Sequence, residues 1–524
     1  MAFFDFHVHP TLKCMFSEKD SKTSPWVDID VTAIPWVLRW CTEFEYILES
    51  QANPRQLNAV GADLICIALF VPERGITNSS LVLKQANGTL HSYLNPARLA
   101  KINDGTLKPF PDLIDEDLEI LTHPEKFGIL NKKVIPLTRG VTFNEHDANA
   151  LYVVFSVEGC HTLSSTTDRN KINKNEVLQN LDILSARIPI LSLNITHLEQ
   201  YDFCNHAYGI QVVSDEAFIP TGNRISADGL DIVKHCFKKK IMIDIKHQSL
   251  AARRMLIEDI LNRPEFTAIK QPLVSSHVGF TGLSYNDIPD YLDFSTMTGK
   301  KYGHIEWGKP KIYGMLDFMT AFNPSSINLY DEDILAVLNS GGIIGLSLDK
   351  RILGYSEADS RTASLDELAF EEEYISLSEK NVFLTKPVIG SKMNDGNCIT
   401  TQEVLQGGYV NPQLSFYHLC HFMSHILHLV KVATENNYDV NSALKQICVG
   451  SDFDGFINPV FCCETSLALN TFKKDFVDTF LSYADANRSL VTLPDNFNVH
   501  EFADQLFFTN GREFVMGRLT EIYA

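Results

Sequence analysis

Apolar and β-branched residues recur along the chain in short runs, separated by longer amphipathic stretches. Most runs are continuously apolar, which is typical of parallel strands that are buried on both faces. The runs are FFDFHVH at the start of the chain and then residues 62–72, 151–159, 189–197, 240–247, 272–277, 342–349 and 446–455. The pattern therefore predicts eight parallel strands.

Helical patterns occupy the stretches between these runs. SLAARRMLIEDILN, residues 249–262, begins with a serine N-cap and ends before Pro264. DEDILAVLNSGG, residues 331–342, has acidic residues in its first turn and glycines at its end. Strands that alternate with helices predict an α/β fold, a (β/α)8 TIM-type barrel. A doubly wound sheet is the alternative, but no glycine-rich phosphate-binding loop follows an early strand.

The chain of 524 residues is much longer than the about 250 residues that such a barrel needs. The additional residues fall at about 10–60, 73–150, 278–330 and 350–412, each after the C-terminal end of a predicted strand. Barrel enzymes build their active sites at that end. We therefore expect a single barrel domain over residues 1–524, with these segments as lids and pocket walls.

Composition and net charge indicate which binding partners and which cellular compartment to expect. Hydrophobic residues make up 45% of the chain and charged residues 21%, which is typical of a globular protein. The net charge of −20 argues against a nucleic-acid partner. No apolar run is long enough to span a membrane, and the start lacks the basic region of a secretory signal. The 11 scattered cysteines favour reduced thiols, so we expect a cytoplasmic protein.

Residues that can bind metals or transfer protons stand at the ends of six of the eight predicted strands. His7 and His9 are two residues apart and so leave the first strand on the same face. The other strands end in Glu158, His197, His247, His277 and Asp452. Each residue alone has a structural explanation, such as a hydrogen-bonded histidine or a turn-forming aspartate. Together, at one end of a barrel, they predict a site for zinc, manganese or iron.

These motifs resemble the amidohydrolase superfamily and, within it, the renal (membrane) dipeptidase family. SVEGCHTL is similar to the third-strand motif of that family, and LSLNITHLEQYDFCNH is similar to the fourth. MIDIKHQS and VSSHVG match the next two histidine motifs, and GSDFDG matches the acidic motif of the eighth strand. FTNGREFVMGRL resembles the closing helix of the family.

The resemblance implies a metallopeptidase that hydrolyses a small dipeptide-like substrate at two divalent ions, with zinc favoured. In that arrangement His7 and His9 bind one ion, His247 and His277 bind the other, and Glu158 bridges them. Asp452 is also a metal ligand and handles the proton, while His197 contacts the substrate carbonyl or the developing oxyanion. The ions would lower the pKa of a shared water and polarise the scissile carbonyl. The family also favours a homodimer.

Three departures from the family are present, and the third leaves the substrate open. The first strand carries His-x-His instead of His-x-Asp, and the export signal of the family is missing. In addition, Ile327 stands where the family has an arginine that binds the substrate carboxylate. Arg351 and Arg224 are candidate replacements. If neither replaces it, the same site favours a lactone, a cyclic amide or another non-peptide substrate.

Two further functional alternatives come from the same residues. DFHVHP also resembles the opening of the polymerase-and-histidinol-phosphatase phosphoesterases, but those end in Asp-x-His, whereas this chain has Asp452-x-Asp454. A non-catalytic binding protein on the same fold is the second alternative, and the full ligand set argues against it. The helix that carries His421, His425 and His428 could hold a second metal site, but packing against the barrel explains this row more simply.

Overall fold

The computed structural model describes residues 2–17, 25–34, 48–88, 90–123, 133–145, 147, 149–209, 216–315, 318–354, 370–387, 389–393, 395–400, 402–403 and 414–524. Parts of the predicted insertions, including residues 35–47 and 355–369, therefore lie outside the described residues. The strands are β1 (Phe3–Val8), β2 (Ala62–Leu69), β3 (Lys133–Pro136), β4 (Ala150–Glu158), β5 (Ile190–Asn194), β6 (Met242–Asp244), β7 (Leu273–Val278), β8 (Leu292–Thr296), β9 (Tyr302–Gly308), β10 (Lys311–Met315), β11 (Phe318–Ala321), β12 (Ile343–Leu346), β13 (Phe370–Ser376) and β14 (Ile447–Val449).

The α-helices are α1 (Pro54–Val60), α2 (Arg74–Thr77), α3 (Ser80–Ala86), α4 (Pro96–Asn103), α5 (Ile114–Thr122), α6 (Lys174–Ser185), α7 (Ala227–Lys239), α8 (Leu250–Arg254), α9 (Pro264–Thr267), α10 (Asp331–Asn339), α11 (Lys350–Leu353), α12 (Lys380–Phe383), α13 (Leu414–Glu435), α14 (Val440–Lys445), α15 (Leu469–Ala486), α16 (Val499–Asp504) and α17 (Asn510–Tyr523). Single π-helical turns extend α8 over Met255–Ile260 and join α16 to α17 over Gln505–Thr509. None of the helices in the described ranges is long and apolar enough to cross a membrane.

Eight strands form a parallel barrel in the order β1-β2-β4-β5-β6-β7-β12-β14. A parallel bridge between Val8 and Phe453 closes the barrel, and the backbone N–H of Asp452 donates to the carbonyl of His7 at 2.9 Å. The short β3 pairs outside this order with the first residues of β4. The (β/α)8 prediction is confirmed, since every predicted apolar run supplies one barrel strand.

Alternate residues of the strands pack into two separate apolar clusters, as buried parallel strands require. Ile65 and Ile67 of β2 join the larger cluster, which includes the surrounding helices. Leu64 and Cys66 join a smaller cluster with Phe508 and residues of the closing helix α17. With both faces of the strands covered, side chains just beyond the strand ends become the groups available for chemistry.

Two antiparallel elements occupy the long segments that follow β7 and β12. Strands β8, β9 and β13 form a three-stranded sheet in the order β13-β9-β8, and β10 pairs with β11. These elements bring residues 323–329 back to the barrel, where the backbone N–H of Leu329 donates to the carbonyl of Gly279 at 3.1 Å.

Candidate functional site

The predicted site residues lie at the C-terminal ends of the barrel strands. His7 is in β1 and His9 follows it, Glu158 is the last residue of β4, and His277 is next to the end of β7. The other three residues lie in loops: His197 just beyond β5, His247 just beyond β6 and Asp452 just beyond β14. Since all these strands are parallel, their ends meet at one end of the barrel.

Glu158 is the centre of this group. It is buried, and the Nε2 atoms of five histidines surround its carboxylate. The distances to the nearer carboxylate oxygen are 3.1 Å for His247, 3.3 Å for His9, 3.4 Å for His7, 3.6 Å for His277 and 3.7 Å for His197. Imidazole and carboxylate groups gathered at these distances are suited to shared binding of divalent cations.

Four of the histidines form two pairs at the spacing of metal ligands. The Nε2 atoms of His7 and His9 are 3.1 Å apart, and those of His247 and His277 are also 3.1 Å apart. Two nitrogens bound to one tetrahedral zinc ion are about 3.3 Å apart. The Oδ1 atom of Asp452 lies 3.3 Å from the Nε2 of His9 and adds a carboxylate to the first pair.

The remaining ring nitrogens support the same interpretation. The Nδ1 atoms of His7, His9 and His247 are buried and have no hydrogen-bond partner in the described part of the chain. The polar contacts of these rings are therefore made by Nε2, with Glu158 and the neighbouring site residues. Nitrogen and carboxylate donors concentrated in this way fit divalent cations of the zinc type.

The protonation states of the buried groups also suit a metal site. Burial lowers the pKa of His247 and of His277 well below the ordinary value, which keeps both rings neutral. Burial raises the pKa of Glu158, but the neighbouring imidazoles outweigh it and hold that pKa well below its usual range. Burial lowers the pKa of His9, but hydrogen bonds to Asp452 and Glu158 outweigh this effect and raise that pKa to about 10. A cation bound there would displace this proton.

Unusual backbone conformations position several of these side chains. His247 and Asp452 have φ angles of 68° and 63°, in the left-handed region that L-residues rarely adopt. Gly159, directly after Glu158, has a φ of 79°, and a Cβ there would lie 2.4 Å from the ring of His161. A Cβ at Gly455 would lie 2.3 Å from the Oδ1 of Asp452. The loops after β4 and β14 therefore depend on glycine at these two positions.

Comparison with known proteins gives structural neighbours only. No family model matches the sequence. No curated protein matches it either. A crystal structure described as dipeptidase AC, a metallopeptidase, aligns over 100% of this chain and 99% of its own, with 14% identity and a TM-score of 0.49.

Two further structures align over nearly the whole chain. A metallopeptidase from Rhodobacter sphaeroides, liganded with a phosphinate mimic of the dipeptide L-Ala-D-Ala, shares 13% identity over 99% of both chains, with a TM-score of 0.44. An amidohydrolase from Pseudomonas aeruginosa shares 9% identity over 100% of this chain and 96% of its own, with a TM-score of 0.38.

The structure adds a carboxylate to the site that the sequence analysis missed. The Nδ1–H of His197 donates to the Oε1 of the buried Glu73 at 2.6 Å, and the backbone N–H of Leu198 donates to the same oxygen at 3.1 Å. Burial raises the pKa of Glu73, but His197 outweighs it and lowers that pKa to about 2. Glu73 directly follows the run predicted as the second strand, so its position at a strand end could have indicated it.

A cavity lies against the metal-competent residues and has mostly apolar walls. The apolar side chains that line it include Phe70, Leu198, Ile327, Ile352 and Phe456, and the charged ones outside the histidine cluster are Lys246, Asp349 and Arg351. Ile327 and Arg351 come from the predicted insertions. The cavity therefore has room for an apolar group beside the candidate metal ligands.

The two arginines named from the sequence have different positions. Arg351 lines the cavity, but its Nη2 and Nε lie 2.7 Å and 3.1 Å from the carboxylate oxygens of Asp349. Arg224 is exposed and is not among the residues that line this cavity. Direct contact with substrate therefore remains a prediction for both, and Arg351 already has a carboxylate partner.

The row of histidines on α13 makes structural hydrogen bonds. The Nε2 of His425 lies 3.0 Å from the carbonyl oxygen of Leu353, and the backbone N–H of Phe280 donates to its Nδ1 at 2.9 Å. The Nε2 of His428 lies 2.7 Å from the Oδ1 of Asp331. Within the described residues, this row forms no cluster at metal-ligand spacing. The structural explanation of the row is therefore favoured.

Proposed function

We propose that this protein is a metal-dependent hydrolase that cleaves an amide bond in a small dipeptide-like substrate. The observation that supports this proposal best is the group of five imidazole Nε2 atoms around the buried Glu158. The family resemblance of the motifs supports the choice of an amide substrate. The cavity beside the cluster supports a small one.

The proposed metal ligands are divided between two ions. His7 and His9, with Asp452, would hold one ion, and His247 and His277 would hold the other. Glu158 would bridge them, since its carboxylate lies within 3.6 Å of the Nε2 atoms of both pairs. Zinc is the favoured metal because the donors are imidazole and carboxylate. When bound, such ions make a water nucleophilic near neutral pH and polarise the substrate carbonyl.

The protein side chains supply the proton transfers and the oxyanion contact. Asp452 would take a proton from the attacking water and return it to the leaving amine. Burial lowers the pKa of His197, but the charges of Glu73 and Glu158 outweigh it and raise that pKa above its ordinary value. As an imidazolium, His197 would donate a hydrogen bond from Nε2–H to the developing oxyanion, while Nδ1–H remains bonded to Glu73. The apolar cavity would hold the substrate away from bulk water, and we propose that the inserted segments form its walls.

A second candidate is hydrolysis of a non-peptide substrate at the same residues. The pairing of Arg351 with Asp349 favours it, because that arginine is not available as a simple replacement for a carboxylate-binding one. A lactone or a cyclic amide would not need such a contact. The two candidates share the metal cluster and differ only in the substrate.

Elemental analysis and substrate screening test this proposal. Protein purified without chelator is expected to carry two transition-metal ions per chain, and His247→Ala is expected to lower that number. The substrate screen should compare L,L-, L,D- and N-blocked dipeptides with lactones and cyclic amides. A preparation that is free of metal and fully active would contradict the hydrolase mechanism. Turnover of blocked or non-peptide compounds alone would favour the second candidate.

A further inference from the structure

Lys246 is a buried cation at the candidate active site. It directly precedes His247, is 1% exposed, and lines the cavity beside Glu158 and Asp452. Its Nζ donates to the carbonyl oxygen of Ile327 at 3.3 Å. Among the described residues, no carboxylate oxygen comes within the 4.0 Å that defines an ion pair with this ammonium. The charges of four carboxylates act on Lys246 from beyond that distance, those of Asp452, Glu158, Asp349 and Asp244.

Two other cations near this site already have carboxylate partners. Arg351 is bound to Asp349, as described above, and the Nζ of Lys13 lies 2.8 Å from the Oδ1 of Asp454. A lysine ammonium has three N–H donors, and burying a charge without a partner is unfavourable. Lys246 therefore has capacity to bind an anion that enters the cavity.

The position of this ammonium is fixed by the segment that carries Ile327. The buried guanidinium of Arg253 donates to the carbonyl of Asn328 at 3.0 Å and forms an ion pair with Asp333 at 3.0 Å. It also donates to the carbonyl of Ser326, so the carbonyls on both sides of Ile327 are held. The carbonyl that accepts from Lys246 is consequently part of a rigid wall.

We infer that Lys246 binds a carboxylate of the substrate, so that the preferred substrates are amides with a free carboxylate next to an apolar side chain. This inference rests on the proposed function, because it concerns the substrate of the same site. Ile327 and Ile352 line the cavity with Lys246 and provide the apolar contact. The class includes dipeptides with a free C-terminus and excludes lactones and uncharged cyclic amides.

Matched substrates test the inference on the metal-loaded protein. The probes are L-Leu-L-Leu and its C-terminal amide, compared through kcat/KM for the wild type and for Lys246→Met. Loss of a hydrogen-bonded charge contact reduces the preference for the acid over the amide by about 10- to 100-fold. The control Lys246→Arg keeps the positive charge and is expected to retain most of the preference. Metal content is measured for each variant because Lys246 adjoins a proposed ligand.

Equilibrium binding separates this inference from the proposed function. Calorimetric titration with 4-methylpentanoate, which has no amide bond, and with the corresponding primary amide needs no turnover. If the wild type hydrolyses neither dipeptide but binds the acid more tightly than the amide, and Lys246→Met removes that difference, the inference holds and the proposed function fails. If Lys246→Met lowers kcat/KM equally for acid and amide, or changes neither, the inference is overturned whether or not the protein is a hydrolase.

Discussion

The Nδ1 atom of His197 lies 2.6 Å from the Oε1 atom of Glu73, although 124 positions separate the two residues. This contact joins the loop after β5 to the loop after β2. It orients the imidazole so that Nε2 faces Glu158, at 3.7 Å. A carboxylate on the far nitrogen also stabilises a ring that donates from Nε2.

The first prediction concerns this contact. Glu73→Gln is expected to lower kcat by about 10- to 100-fold, because the amide no longer fixes the orientation and proton of His197. Metal content should stay close to the wild-type value, since no proposed ligand changes. Steady-state kinetics and elemental analysis measure these quantities. Glu379→Gln is a matched control, because Glu379 is a buried carboxylate that bonds Asn205 and Ser249 instead. Equal loss in both variants would contradict the positioning role.

The two aspartates of the GSDFDG motif are expected to have different roles. Asp452→Asn should lower kcat by about 10²- to 10⁴-fold, with the metal largely retained, because it removes the proposed proton acceptor. Asp454 accepts hydrogen bonds from the backbone of Gln51 and Ala52 at 2.9 Å and 2.8 Å and pairs with Lys13. Asp454→Asn should therefore lower the free energy of unfolding by about 3 kcal/mol, because it leaves the Lys13 charge unpaired. Kinetics and denaturant unfolding measure the two effects, and reversed outcomes would refute this assignment.

A glycine substitution tests the packing behind Glu158. Gly159→Ala places a Cβ 2.4 Å from the ring of His161, which cannot easily move because its Nε2 is 2.7 Å from the carbonyl oxygen of Val71 and the ring stacks on Tyr201. We expect lower thermal stability together with reduced metal content. Gly105→Ala is the control, since Gly105 has a φ of 82° and no atom within 4 Å of an added Cβ. This control should lower the free energy of unfolding by only about 1–2 kcal/mol, the cost of the left-handed conformation for an L-residue. Similar losses of metal in both variants would contradict the steric explanation.

Acid sensitivity should arise partly from the histidines of α13. Burial lowers the pKa of His425 to about 3 and that of His421 to about 4. Below the unfolded pKa of about 6.5, the unfolded chain binds protons that these folded rings do not accept. The free energy of unfolding should therefore fall as the pH falls from about 6.5 toward 4, by up to about 1.4 kcal/mol per pH unit for each ring.

His425→Asn should remove one of these contributions. The destabilisation that it causes at pH 7.5 is expected to shrink at pH 5, because the wild type alone then bears the cost of keeping His425 neutral. Denaturant unfolding at the two pH values measures this difference. His91→Asn is the control, since His91 is exposed. A destabilisation that does not depend on pH would show that His425 does not titrate as described.

Much of the fold follows from local sequence pattern. The apolar runs predict the barrel strands because a strand buried on both faces must be apolar along its whole length. The same strand assignments place His7, Glu158 and His277 at the strand ends. Their convergence at one end of the barrel therefore follows from the predicted strands. Strands β8, β9 and β13 form an antiparallel sheet in which β13 pairs with a distant partner, and the local pattern alone did not predict this.

What the sequence by itself determined is the set of barrel strands and the residues at their C-terminal ends, because both depend on continuous apolar runs and their order along the chain. Only the tertiary structure decided the partners of those residues. The bond from His197 to Glu73 and the contact of Lys246 with Ile327 are of this kind. Each depends on loops that meet across the end of the barrel. Their distances follow from packing of the whole fold, which no local pattern encodes.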